Sequence, residues 1–138
     1  MPKEVYLGFD FGYKRIGIAV GQKLTLTATP LTILHANLGV PNWQTLEKII
    51  AQWLPTALIV GLPTTIDDKE QYTTHAARDF AKQLECRFNL PVFLIDERLS
   101  SKEARSILFA KGGYKRLKSQ EIDAYAASII LEQWLRSN

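Results

Sequence analysis

The chain has 138 residues, of which 46% are hydrophobic and 22% charged, proportions that fit one globular domain and exclude a disordered or fibrous protein. Its net charge of +3 is mildly basic and by itself selects no class of partner. A single cysteine excludes an intramolecular disulfide, and no apolar run suits a signal peptide or a membrane span, so we expect a cytoplasmic protein.

The first predicted elements are three strands in succession. Residues 4–11 and 15–22 are apolar runs separated by a turn at Gly12, which predicts a hairpin. Alternation and threonine content predict a third strand over 25–35, where Pro30 indicates an edge position or a bulge. Three consecutive strands of this kind favour an antiparallel meander.

The rest of the chain alternates strands with helices. We predict a helix that Asn42 caps and Pro55 ends, then a strand over 57–60 and a helix over 69–89. A strand over 92–95 follows, and then a helix that begins at the capping box of Ser100 and Glu103 and ends at Gly112–Gly113. The last predicted helix begins at the cap Ser119 and ends at about Arg136. Because helices separate the later strands, those strands should run parallel to the first. The sequence therefore predicts one α/β domain over residues 1–138, with a five-stranded mixed sheet flanked by helices.

Carboxylates lie at three places on these apolar elements. Asp10 lies near the end of the first strand, where a buried charge is costly unless a cation, a metal or hydrogen-bond donors compensate it. Asp96 and Glu97 end the strand over 92–95, and Asp123 lies in the first turn of the last helix, on the stripe that faces the sheet. Each also has a structural interpretation, as a satisfied core residue, a partner of Arg98 or a complement to the helix dipole.

Together these acids favour a metal site at the carboxyl edge of the sheet, where open α/β sheets bind ligands. Converging carboxylates repel one another unless a cation lies among them, and oxygen ligands suit Mg²⁺ or Mn²⁺. Two such ions, about 3.5–4 Å apart, can clamp the attacking and leaving oxygens of a phosphodiester. Eight lysines and arginines lie near these elements in the sequence, and they can either hold flanking phosphates or be solvated surface charges. They are Lys14, Arg15, Lys102, Arg105, Lys111, Lys115, Arg116 and Lys118. Acids within a basic rim indicate a nuclease.

Competing chemistries have less support in the sequence. His35 and His75 lie on different elements without a second ligand at metal spacing, and Cys86 lies within a predicted helix. The chain contains no P-loop and no nucleophilic serine elbow.

Four ordered segments resemble the YqgF family, also called RuvX, of RNase H-like nucleases. Asp10–Ala19 is similar to its opening motif, Val60–Pro63 to its middle motif, and Asp96–Ser100 to its Asp-Glu-Arg-Leu-Thr/Ser motif. Ile122–Asp123, together with Ala126–Ala127, is similar to its final helix. The resemblance extends from about residue 5 to 135.

The resemblance implies an RNase H-like fold with strand order 3-2-1-4-5 and processing of the 5′ end of precursor 16S ribosomal RNA. By motif position it implies an acidic triad of Asp10, Glu97 (or its neighbour Asp96) and Asp123, with Mg²⁺ or Mn²⁺ as the metal. Val60-Gly61 supplies no acid on the fourth strand, so the second ligand has to come from the strand before Arg98. The expected nucleic-acid contacts are Lys14, Arg15, Arg98, Lys102, Arg105, Lys115, Arg116 and Lys118.

Three alternatives remain open at this stage. A resolvase of branched DNA requires a dimer with two matched sites, yet Trp43, Trp53 and Trp134 lie at core-like helix positions and mark no dimer patch. A non-catalytic nucleic-acid-binding module would keep the fold and the basic rim. A sugar-kinase-like or actin-like ATPase requires two such domains. We expect structured RNA as substrate, ribosomal precursor particles as partners, no membrane, and a monomer or weak homodimer.

Overall fold

The computed structural model of the chain describes residues 4–62, 72–96 and 119–138. In chain order its elements are β1 (Val5–Asp10), β2 (Arg15–Gln22), β3 (Thr27–Asn37), β4 (Val40–Pro41), α1 (Trp43–Trp53), β5 (Ala57–Leu62), α2 (Tyr72–Phe88), β6 (Val92–Asp96) and α3 (Ser119–Ser137). No helix in these ranges is long and apolar enough to cross a membrane. The helix predicted between Ser100 and Gly113 lies outside them, as does the start of the helix predicted over 69–89.

The strands form one mixed sheet in the order β4-β3-β2-β1-β5-β6. β1 pairs antiparallel with β2, and β2 pairs antiparallel with β3. β1 and β5 are parallel, as are β5 and β6, because α1 and α2 return the chain to the same edge. This confirms the predicted order 3-2-1-4-5, with β5 and β6 as its fourth and fifth strands.

The prediction of five strands is wrong by one short edge strand. β4 has two residues, which pair with Ala36 and Asn37 after a two-residue reversal at Leu38 and Gly39. Both reversal residues have positive φ, 51° and 85°, the backbone of a tight hairpin turn. Two residues, one of them a proline, carry no periodicity that a sequence pattern could reveal.

Local signals in the sequence account for an irregularity in the sheet and for the start of α1. The register of β2 against β3 shifts between Ile18 and Ala19, opposite Pro30, which confirms the predicted bulge. The Asn42 side chain accepts hydrogen bonds from the main-chain N–H groups of Gln44 and Thr45, which confirms it as the cap of α1.

The described helices lie on both faces of the sheet. On one face, α1 and α2 bury Leu46, Phe80 and Leu84 against β1, β2 and β5. On the other face packs α3, with Ile130 and Leu131 fully buried. We call these the α2 face and the α3 face. The three tryptophans are partly buried against these two cores.

Glycines allow α3 to lie directly on the hairpin of β1 and β2. A Cβ added to Gly8 would lie 2.8 Å from the Leu131 Cβ, and one added to Gly21 would lie 2.9 Å from the Leu131 Cδ2. A Cβ on Gly17 would overlap the main-chain carbonyl of Asp123. The hairpin glycines therefore set both the distance and the height of α3 on the sheet.

We expect Leu131→Ala to lower the free energy of unfolding by about 2–5 kcal/mol, because it opens a cavity against the hairpin glycines. The matched control is Leu24→Ala, since the Leu24 side chain is 85% exposed and its truncation should change stability by less than about 0.5 kcal/mol. Urea denaturation of both variants is the measurement. Equal effects at the two positions would contradict this account of α3 packing.

Candidate active site

Asp10 ends β1 with 9% of its surface exposed. It lies on the α3 face, because β1 side chains alternate and Gly8, two residues earlier, faces Leu131 of α3. Its register partners are Gly17 on β2 and Gly61 on β5. Neither neighbour has a side chain, so the sheet surface beside the carboxylate is open toward α3.

Asp123 is brought to this place by the close contact at Gly17. The Asp123 main-chain carbonyl lies where a Gly17 side chain would be, and Gly17 is the cross-strand partner of Asp10. Directly paired residues on antiparallel strands have Cα atoms about 4.5–5.5 Å apart. The two acids, 113 residues apart in the sequence, therefore lie on the same face at the same edge of the sheet.

Arg15 lies on the α3 face and binds Asp123. Its Nε donates a hydrogen bond to Asp123 Oδ2 over 2.8 Å. The side chains are 39% and 28% exposed, and a pair this open to water contributes little to folding stability. Its effect is local, because it fixes the Asp123 carboxylate and offsets negative charge where acids converge.

Asp96 lies on the other face of the sheet from Asp10, Arg15 and Asp123. β6 is two strands from β1, and neighbouring strands are about 4.8 Å apart. Ile95 packs into the α3-side core, and Leu94 lies against residues of α2. Strand alternation then assigns Asp96 to the α2 face, opposite Asp10, so the structure does not bring these two carboxylates together.

The basic residues predicted to bind nucleic acid are only partly described. Lys14 is exposed in the turn between β1 and β2, and its main-chain carbonyl accepts a 2.9 Å hydrogen bond from Ala36 N–H. The remaining predicted site residues lie outside the described ranges: Glu97, Arg98, Lys102, Arg105, Lys115, Arg116 and Lys118.

The described donors suit a hard divalent cation but do not complete a site. Asp10 and Asp123 offer only carboxylate oxygens, the ligands that Mg²⁺ and Mn²⁺ prefer. Within the described ranges, no three histidine, cysteine or acidic side chains converge as metal ligands. Glu97, the predicted third ligand, lies outside the described ranges.

Sequence reasoning missed a cavity on the α2 face of the same turn. It has a volume of about 300 Å³, and its walls include Phe11 and Tyr13, the residues on either side of Gly12. Leu38 and Gly39 of the β3–β4 turn also line it. The short hairpin signal of a glycine between two apolar runs could have indicated that turn, but not its contact with Phe11.

The chain is similar to known proteins over almost its whole length. The family model described as "RuvX: Holliday junction resolvase" matches residues 4–137. A protein of Legionella pneumophila (strain Paris), named "Putative pre-16S rRNA nuclease", is 63% identical over 138 residues, covering 100% of this chain and 99% of that protein. A Haemophilus ducreyi protein of the same name is 53% identical over 132 residues, with 96% of each chain covered.

Solved structures of resolvases share the fold. RuvC of T. thermophilus in complex with a Holliday junction superimposes with a TM-score of 0.56 at 17% identity, covering 97% of this chain and 94% of that one. The fowlpox virus resolvase with Holliday junction DNA gives 0.58 at 11% identity, covering 96% and 97%. These likenesses confirm the RNase H-like fold, and the match to the family model shows that the chain belongs to the RuvX family.

Proposed function

We propose that the chain is a divalent-metal-dependent endonuclease that processes the 5′ end of precursor 16S rRNA during ribosome biogenesis. The observation that carries the proposal is the contact of α3 at Gly17, which sets Asp123 beside Asp10 on one face of the sheet edge. The names of the relatives that are 63% and 53% identical support this RNA as the substrate. Such a nuclease would work in the cytoplasm on ribosomal precursor particles, as a monomer or weak homodimer.

In this proposal Asp10, Asp123 and Glu97 hold the metal, and Asp96 does not. Phe93 contacts Trp134 of α3, and Ile95 packs into the α3-side core, so the odd-numbered positions of β6 face α3. One further step of the same alternation would give position 97 the face of Asp10. The sequence alone left Asp96 and Glu97 as alternatives, and this alternation favours Glu97.

When bound, Mg²⁺ or Mn²⁺ would supply positive charge to polarise the scissile phosphate and to lower the pKa of an attacking water. Arg15 holds Asp123 through its Nε–H, and its two terminal nitrogens carry further donors for phosphate oxygens. Exposed Lys14 would contact the backbone as a point charge. The flanking phosphates would be held by Arg98, Lys102, Arg105, Lys115, Arg116 and Lys118.

A second candidate function is the resolution of four-way DNA junctions. The description of the family model and the fold shared with two junction-bound resolvases favour it. Resolution needs paired incisions and therefore a dimer with two matched sites. The same cleavage assay, run on RNA and on a junction, separates the two candidates.

We expect Asp10→Asn to abolish Mg²⁺-dependent cleavage of a 5′-labelled precursor 16S leader while leaving thermal unfolding near wild type. The amide is isosteric with the carboxylate but is a far weaker metal ligand. The matched control is Glu47→Gln, an exposed carboxylate on α1. Activity that survives in Asp10→Asn would contradict the metal site. If the wild-type protein cuts only the four-way junction, its substrate is branched DNA and not RNA.

Replacement of the two neighbouring acids should separate their roles. We expect Glu97→Gln to lower the cleavage rate at least about 100-fold, the scale of losing one preorganised charge partner in an active site. Asp96→Asn should stay within a few-fold of wild type. Single-turnover cleavage at saturating Mg²⁺ is the measurement. The reverse order of effects would assign the second ligand to Asp96.

We expect Arg15→Ala to lower kcat about 10–100-fold, the scale of one charge-assisted hydrogen bond. The free energy of unfolding should change by less than about 1 kcal/mol, because the ion pair is open to water. Lys14→Ala is the control, since it removes a neighbouring cation whose side chain does not contact Asp123. This variant should raise KM and reduce the salt dependence of substrate binding instead. The same split between kcat and KM in both variants would contradict a positioning role for Arg15.

A further inference from the structure

The cavity of about 300 Å³ on the α2 face adjoins the turn between β1 and β2, which we call the active-site turn. Its volume lies at the lower end of the range of about 300–1,000 Å³ that is typical of small-molecule sites. Phe11, Tyr13, Trp43 and Phe80 supply aromatic walls. Phe11 directly follows Asp10, the last residue of β1. A ligand in the cavity would therefore lie across the sheet edge from the α3 face.

The walls of the cavity are held in place by packing and by hydrogen bonds. The ring centroids of Phe11 and Phe80 are 5.5 Å apart, and those of Trp43 and Phe80 are 6.0 Å apart. Gly39 N–H donates a 2.9 Å hydrogen bond to the Tyr13 carbonyl, which ties the β3–β4 turn to the active-site turn. A Cβ on Gly39 would come within 2.9 Å of Phe11 Cζ, so this turn rests directly on the ring.

Large apolar side chains surround the mouth of the cavity although they are open to water. Leu38 is 81% exposed and Val40 is 58% exposed. Leu38 also has a φ of 51°, a left-handed conformation that asparagine, aspartate or glycine adopts more easily in such a turn. An exposed leucine in this conformation gains nothing from burial within the chain, which favours a contact with a ligand.

The polar groups at the mouth select the chemistry of that ligand. Asp79 and Gln83 lie one turn apart on α2, and both are exposed. Neither lysine nor arginine occurs among the described residues that line the cavity, and a carboxylate at the mouth repels phosphate. A carboxylate and an amide can instead bond to the edge of a flat aromatic ring that carries N–H donors.

We propose that this cavity binds the nucleobase of an unpaired nucleotide next to the cleavage site, with a preference for a base that has an exocyclic amino group. The proposal rests on the proposed function insofar as the nucleotide belongs to the substrate strand. Aromatic walls take the face or edge of any base, and Asp79 accepts the amino hydrogens that uracil lacks. Cleavage would then require a single-stranded segment that can turn over the sheet edge from the α3 face to the α2 face.

The first test follows the indole N–H signals of the ¹⁵N-labelled full chain during titration with nucleoside 5′-monophosphates. We expect GMP to shift the signal of Trp43 saturably and more strongly than UMP, while Trp53 and Trp134 stay unchanged. Ribose 5-phosphate, which has no base, should shift none of the three. Asp79→Asn should remove the preference for GMP over UMP.

Other occupants of the cavity give different results in the same titration. A Trp43 signal that responds equally to ribose 5-phosphate would identify a phosphate site and overturn the proposal. A Trp43 signal that instead moves with protein concentration, without nucleotide, would assign the cavity to a second copy of the chain. An unchanged Trp43 signal at the highest GMP concentration reached would also overturn it.

The second test measures affinity for single-stranded oligonucleotides in EDTA, with one base removed at each position in turn. We expect loss of one particular base to weaken binding about 5–100-fold, the scale of one stacked base. Ala76→Phe fills the cavity from α2. This variant should bind the intact strand only as tightly as wild type binds the abasic strand. Removal of the base should not weaken its binding further. Ala76→Ser keeps the cavity open and is the matched control.

RNA and DNA versions of the strand show whether the ribose contributes, and the base dependence should hold in both. Equal affinity for every abasic strand would overturn the proposal, even if cleavage depends on Asp10 as expected. Conversely, the protein can prove unable to cleave while GMP shifts the Trp43 signal and one abasic position weakens binding. That result would contradict the nuclease function and support the base site. If Ala76→Phe fails to fold, the wild-type titration and the abasic series still decide.

Discussion

The contact between the start of α3 and Gly17 is the constraint on which the site depends. Any side chain at position 17 would displace the Asp123 main chain and, with it, the carboxylate that Arg15 holds. Gly8 and Gly21 repeat the same close approach along α3, against Leu131. The helix therefore has one position on the hairpin, and that position aligns Asp123 with Asp10. Main-chain contact, rather than attraction between charges, determines the geometry of the acids.

The turn between β1 and β2 serves two surfaces at once. On the α3 face it presents Asp10 and Arg15, and on the α2 face it presents Phe11 and Tyr13 to the cavity. Strand alternation separates Asp10 from Phe11, and the reversal at the turn returns Arg15 of β2 to the face of Asp10. The hydrogen bonds from β3 and the β3–β4 turn to the Lys14 and Tyr13 carbonyls hold both surfaces together. Rigidity of one short segment thus serves both the acids and the cavity.

Sequence patterns predicted the parts of this structure that depend on local chemistry. The burial of Asp10, the bulge at Pro30 and the cap at Asn42 each follow from neighbouring residues, and the alternation of strands with helices predicted that the later strands run parallel to the first. The strand order 3-2-1-4-5 is what the resemblance to the YqgF family implies. The ion pair between Arg15 and Asp123 joins residues 108 positions apart, so no local pattern could indicate it. The cavity likewise needed the contact between Gly39 and Phe11, which depends on how three elements pack.

The charges of the site are separable from the stability of the fold. Asp10 lies at the end of a strand whose apolar residues, Leu7 and Phe9, are fully buried and hold it in the sheet. A nearly buried carboxylate costs desolvation energy, which a neutral isostere avoids. The Arg15–Asp123 pair is open to water and adds little. The proposed chemistry and the stability of the fold therefore make separate demands on these residues.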